Sequence, residues 1–283
     1  MDNPLINVDI KPLADVINKL IEKISSAVGW VATRDTPKKE AVRSFIKNVE
    51  SSSYDPFEKA ALISNASKVI NEYCNQNDIL KIACGSVKED AKPKEIEDDW
   101  IAKFMDYAKD VSDKDFQQMW GRLLAEECNH PATVPKRLLH ILSVMDKEEA
   151  RGFLALKKIS IYTESGEDGV IEYAPVIGTG KAYLEKYDLN FDKLVNLQAL
   201  GLITIGTLYM YDSISYPICI KYFDEEQIIL GEGDLLPYGN VAYTGAGQVL
   251  CRIIETEKID GFLKNECIQI INKYQKMIEK IGE

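Results

Sequence analysis

The chain has 283 residues, 46% of them hydrophobic and 28% charged, with a formal net charge of −11. Those values fit a globular protein with room for two modest domains and a real core. No apolar run approaches the roughly 18 residues that a membrane span needs.

The start, MDNPLINVDIKPLADVI, carries early acids and no basic n-region, so it reads as no signal peptide. Six scattered Cys and two His, with no C-x-x-C spacing, give no zinc constellation. The thiols are expected reduced, in a cytoplasmic protein. Acid concentrates late in the chain. Residues 160–283 hold ten Lys and Arg against nineteen Asp and Glu, a balance of −9, whereas residues 1–159 balance at −2. A polyanion would be repelled there, so nucleic acid is not an expected partner.

In chain order, the first expected element is an amphipathic helix over residues 10–32. Ile10, Leu13, Ile17, Leu20, Ile24, Val28 and Val31 step by three and four. Its apolar stripe suits packing on its own body or on a sister copy. Lying on a membrane surface is the weaker use, because Lys and Glu mix on its polar face. Gly29 and the segment Thr33–Lys39 break the pattern, and Pro37 could open a further helix to about Val49. Asp55, Pro56 and Glu58 form a helix start. That helix is expected to run to about Asn75, with Ala60, Ile63, Ala66, Val69, Ile70 and Tyr73 inward. A shorter helix, Asp78 to Cys84, follows, and Lys88–Glu97 reads as an exposed linker.

The stretch from Asp98 to Met145 has the densest periodicity. Asp98 or Asp99 is expected to cap a helix with Trp100, Ile101, Phe104, Met105 and Ala108 inward. Ser112 and Asp115 suggest a capping box for a helix carrying Phe116, Met119, Trp120, Leu123, Leu124 and Cys128. Pro131 ends it. Thr133 and Pro135 open the next helix, and Asp146 with Glu149 caps another. Short loops between these helices predict an antiparallel helical body.

After Lys158 the texture turns to strands: Ile159–Tyr162, Gly169–Tyr173, Ala174–Ile177, Leu202–Ile205, Thr207–Tyr211, Tyr216–Tyr222, Gln227–Leu230 and Asn240–Tyr243. A helix over Asp188–Leu200 ends at Gly201, Thr244 caps another, and a packing helix fills Ile259–Ile281. The predicted class is α+β. It has an N-terminal helical segment (1–50), a helical core (51–158), a smaller winged-helix-like α+β module (159–258) and a C-terminal packing helix (259–283).

No catalytic set emerges. GTGK at 178–181 lacks the earlier Gly and the following Ser or Thr of a phosphate loop. GAG at 245–247 lacks the dinucleotide context. His130 and His140 have no nucleophile beside them, and the Asp residues between 98 and 115 do not match a calcium loop. No metal and no cofactor are expected.

The polar set Gln117, Arg122, Glu126, Glu127 and Arg137 is the candidate contact surface around Trp120. Arg122 and Glu126 are four apart on one helix, and Arg137 could reach back to Glu126 as an ion-pair clamp. The winged-like module is a second candidate, for duplex binding. Its recognition helix would carry Lys193 against Asp188 and Asp192.

The central stretch resembles an uncharacterised bacterial domain family with the core D-W-x-x-x-F-x-x-x-A-x-x-(V/I)-S-D-x-x-x-Q-x-x-W-x-R-(I/L)-L-A-x-E. The matching residues are Asp99, Trp100, Phe104, Ala108, Val111, Ser112, Asp113, Gln117, Trp120, Arg122, Leu123, Leu124, Ala125 and Glu126. That family tends to follow with a Pro-Gly-Ser-like loop, where this chain has Pro131-Ala132-Thr133. L-x-x-L-G-L-I and T-x-x-G-x-x-L segments come later. The central helices are also similar to abortive-infection alpha-type proteins, which implies a role in bacterial defence against phage. The expected function is non-enzymatic and works through protein partners. The alternatives are a nucleic-acid-binding regulator and an enzyme with a site near Arg122, Glu126 and Arg137. The terminal amphipathic helices predict a homo-oligomer.

Overall fold

The computed structural model describes residues 11–32, 38–165, 170–178, 180–212 and 214–282. The expectations on Ile10, Pro37, Gly169 and Thr179, and the reading of the first ten residues as no leader, lie outside them. The fold is α+β, a helical N-terminal body followed by antiparallel sheets with helices. The chain divides into two compact units, Met1–Ser143 and Val144–Glu283. No described helix is long and apolar enough to cross a membrane.

The first unit holds α1 (Lys11–Val28), α2 (Lys38–Glu50), α3 (Pro56–Cys84), α4 (Asp98–Ala108), α5 (Lys114–Asn129) and most of α6 (Lys136–Val144). The stripe of α1 is covered within its own unit: Ile17, Leu20 and Ile24 are fully buried, and the helix packs on α4. Lys23 and Asp98 bind the pair at 2.6 Å. Asp55 caps α3 as expected, accepting from Phe57 and Glu58 N–H, with Glu58 returning to the Asp55 N–H.

The expected break near Asn75 does not occur, and α3 runs unbroken for 29 residues. Its amides are spent on the neighbouring helix rather than on their own backbone. Asn75 Nδ2 donates to the Lys109 carbonyl at 2.8 Å and Gln76 Nε2 to that of Met105 at 2.9 Å, so neither competes with the helix.

Three further expectations are corrected. Glu97, not Asp98 or Asp99, sits at the N-cap of α4. The acids instead occupy the first turn, where the helix dipole favours them. Asp113, not Ser112, caps α5, accepting from Asp115 and Phe116 N–H. The segment Lys88–Glu97 is exposed at most positions, as expected, but it is not a free linker. Pro93 and Ile96 are buried around a 3₁₀ turn, and Lys92 N–H donates to the Cys128 carbonyl at 2.8 Å.

The second unit begins with α7 (Lys147–Lys158), whose Asp146–Glu149 capping box forms as expected. A four-stranded antiparallel sheet has the order β2-β1-β4-β5, from β1 (Ser160–Ser165), β2 (Val170–Pro175), β4 (Ile218–Tyr222) and β5 (Glu225–Ile229). A separate ribbon pairs β3 (Ile203–Tyr211) with β6 (Leu236–Tyr243). Two pairs of expected strands merge, into β2 and β3. The helices are α8 (Lys181–Lys186), α9 (Phe191–Ala199), α10 (Gly245–Ile253) and α11 (Ile268–Gly282). A π turn over Leu263–Cys267 precedes α11. The expected C-terminal helix therefore starts regular winding only at Ile268.

Candidate functional site

The Asp98–Met145 stretch is organised around the loop between α5 and α6. Trp100 and Phe104 stack with centroids 5.3 Å apart, and Phe104 meets Trp120 at 5.3 Å. This aromatic row fixes where α4 lies on α5. Trp100 Nε1 then donates to the Val134 carbonyl at 2.9 Å. From α5, Glu127 accepts the N–H of Ala132 on Oε1 at 2.8 Å and the N–H of Val134 on Oε2 at 2.9 Å. Glu127 is only 2% exposed. Burial raises its carboxyl above the ordinary range, and the loop amides pull it partly back. Ala132 is held at φ 65°, the left-handed region.

The A-x-E ending of the family core, counted from Ala125, falls on Glu127 rather than on Glu126. Glu126 is its half-buried neighbour. The buried acid is the loop's anchor, whereas the sequence reading grouped it with the outward polar set and gave the ion-pair role to the more solvated Glu126. The signal was available: an acid on the Trp120–Leu124 face must find donors, and a loop of turn residues supplies them.

The other candidates spread out. Gln117 is 1% exposed, donating to the Val111 carbonyl at 2.8 Å and accepting from Lys114 Nζ at 2.9 Å. It ties the α4–α5 turn to α5 and does not lie on an outward flank. Trp120 is fully buried. Arg122 and Glu126 are half-buried on α5 and both take part in polar contacts. Arg137 is exposed and makes no ion pair among the described residues, so the clamp to Glu126 is not formed, while its neighbour Lys136 pairs with Glu97 at 2.9 Å. Asp99 and Ser112 are exposed, and His140 faces Tyr107 across 3.4 Å. Among the described residues no group of three or more His, Cys, Asp or Glu is placed to hold a metal ion.

The two late motif segments meet. Thr244 N–H donates to the Leu202 carbonyl at 3.0 Å, Thr244 Oγ1 donates to the Gly201 carbonyl at 2.7 Å, and the same oxygen accepts the Gly247 N–H. A Cβ on Gly247 would lie 2.1 Å from the Leu202 carbonyl oxygen. L-x-x-L-G-L-I and T-x-x-G-x-x-L are thus two halves of one backbone junction. Chemistry at GAG is not needed to explain it.

A feature that the sequence reading did not single out is a cleft of about 510 Å³ between the end of α7, the β1–β2 pair and α10. Lys157 reaches into it with Nζ 3.3 Å above the centre of the Tyr173 ring. The Tyr173 backbone is held by Gln248 of α10, whose Nε2 donates to its carbonyl and whose Oε1 accepts its N–H, both at 2.8 Å. Among the described residues no carboxylate pairs with Lys157. Desolvation lowers its ammonium to about 8. In sequence Lys157 is one of two lysines ending a helix, and nothing there distinguishes it.

The chain belongs to the DUF2806 family, described as proteins of unknown function, whose pattern matches residues 66–266. The match takes in the last two thirds of α3, the loop anchored by Glu127, the Thr244 junction and the Lys157 cleft. No curated protein and no solved structure matches the chain.

Proposed function

We propose that this DUF2806 protein acts without catalysis, through protein–protein contacts, and that its first partner is a second copy of itself meeting at α3. The carrying observation is the exposure of that helix. Every buried residue of α3 lies between Asn77 and Cys84, within its last eight positions. Ahead of them, Phe57 is 82% exposed, Val69 52% and Leu62 37%. Val69, expected inward, faces out beside Leu62 seven residues earlier. Leu62 and Val69, two turns apart on one helix face, favour a partner there, and Phe57 adds exposed apolar surface at the start of the helix. The exposed part of α3 carries Glu58, Lys59, Lys68 and Glu72, which cancel. Two copies can therefore meet there without net repulsion. Residues 160–283, at −9, lack that property.

Light scattering tests the reading. The expected result is a mass near twice 31.9 kDa for the wild-type chain and a monomer for the Leu62→Asp/Val69→Asp variant. A wild-type monomer at high concentration would overturn it. Arg122, Glu126 and Arg137 are proposed as a further contact patch, read out by the same measurement.

The extension to phage defence rests on the resemblance of the Asp98–Met145 stretch alone. A host carrying the gene, challenged with a phage panel beside an empty-vector control, should plate fewer plaques for at least one phage. Unchanged plating throughout removes the defence role. Duplex binding by α9 is the less supported reading. Lys193, the single cation of that helix, is engaged by Asp188 at 3.1 Å.

A further inference from the structure

We propose that Lys157 is a reactive amine whose cleft takes a small aldehyde or ketone and holds it as a Schiff base. Three features of the geometry converge on that use. The first is the cleft itself, whose volume of about 510 Å³ admits a small ligand. The second is the setting of the amine. Its nitrogen lies over the Tyr173 ring, and the strand that carries that ring is held by Gln248 at both the N–H and the carbonyl of Tyr173. The third is an unmet polar group: Thr256 lines the same cleft, and its Oγ1 is buried behind that wall without a hydrogen-bond partner among the described residues. A bound molecule with an oxygen would supply one.

The groups facing Lys157 leave the amine as the nucleophile. Cys251 is fully buried in the cleft wall and burial pushes its thiol up to about 12, so it stays protonated. Tyr173 is likewise held near 12. Glu164 is engaged by Lys221 at 2.7 Å. Glu255 and Arg252, both on the rim, are exposed and have polar partners of their own. Desolvation of the ammonium leaves a usable fraction of free amine near neutrality.

In the step itself, the nitrogen lone pair attacks the carbonyl carbon. The amine gives up two protons, and they depart with the carbonyl oxygen as water. A C=N bond replaces the C=O bond, and no oxidant or reductant is consumed. The equilibrium is reversible, which suits a binding site that senses a metabolite carbonyl rather than one that turns it over.

The experiment uses the full chain with pyridoxal as a stand-in aldehyde at neutral pH. Borohydride then reduces the imine to a stable secondary amine, and peptide mapping by mass spectrometry locates it. The expected result is modification at Lys157 ahead of the surface lysines by at least about tenfold; its free-amine fraction is on the order of 300 times larger, and the weaker nucleophilicity of a less basic nitrogen offsets part of that. The Thr256→Val variant should lower that preference, and its α10 and β1 should retain wild-type hydrogen-exchange protection. Even labelling across the lysines, with Lys157 no more modified than Lys158, would overturn the proposal. That outcome is independent of the oligomeric state on which the α3 reading stands.

Discussion

The carboxylate of Glu127 and the backbone N–H of Val134 meet at 2.9 Å. Seven residues apart in sequence, they close the α5–α6 loop onto the helix that precedes it. Two oxygens serve two amides there, so the side chain cannot be replaced by one with a single acceptor. Glu127→Gln should destabilise the first unit by about 1–3 kcal/mol, the cost of leaving a buried donor unmet. Glu126→Gln, on the more solvated neighbour, should cost under about 0.5 kcal/mol. Urea unfolding of the two variants side by side checks the difference.

The same carboxyl has a pH signature. Its folded-state value lies above the ordinary 4.5 because burial outweighs the loop amides. The folded chain therefore binds this proton more tightly than the unfolded chain does. The stability it contributes is complete below 4.5 and falls as pH rises through the raised value. Glu127→Gln should remove that segment of the stability–pH curve, measured by denaturation between acid and neutral pH.

Ala132 at φ 65° stands where only glycine is unstrained. Ala132→Gly should therefore stabilise the chain by about 0.5–1 kcal/mol, with strain relief exceeding the added entropy of the unfolded chain. Thermal unfolding should show a higher midpoint. A lower one would mean that the loop draws something from the methyl group.

Gly247 allows α10 to start directly over the Leu202 carbonyl. A methyl placed 2.1 Å from that oxygen cannot be accommodated without moving backbone. Gly247→Ala should cost about 3 kcal/mol. Gly245→Ala, where a Cβ meets nothing within 4 Å, should be nearly neutral. Circular dichroism melts of both variants separate the close approach from general helix-start effects.

Lys157 carries a cost in the second unit. Its ammonium titrates near 8 instead of the usual 10.5. The unfolded chain thus holds more protons than the folded chain between those values, and stability rises with pH across that window. Lys157→Met should flatten the rise and add about 1–2 kcal/mol near pH 7, less than the full shift implies because the side chain is part-solvated. Denaturation curves collected from neutral to alkaline pH read out both effects.

The sequence made the helical body and its clearest caps legible. Asp55, Asp146 and Thr244 all cap as their spacing implies, because a cap is a local interaction. It misplaced boundaries wherever a side chain found a distant partner. Asn75 and Gln76 resemble a break until α4 absorbs their amides. Ser112 resembles a cap until Asp113 takes the turn. On the candidate site it chose the acid at Glu126, whose polarity suggested a surface. Burial of Glu127 depends on a loop folding back, which periodicity does not encode. Lys157 was invisible for the same reason: its setting comes from Tyr173 and Cys251, sixteen and ninety-four residues further along the chain.

Gln248 has an effect beyond Tyr173. The strand it grips is the outermost of the four-stranded sheet, and an unpaired outer strand is a template for adding another chain's strand. By occupying one N–H and one carbonyl in the middle of that border, the Gln248 amide joins the β6 and α10 packing against β2 in guarding against edge-to-edge growth. At the opposite border, Glu225 and Glu226 supply charge instead. Loss of Gln248 would open a route to fibrous aggregates.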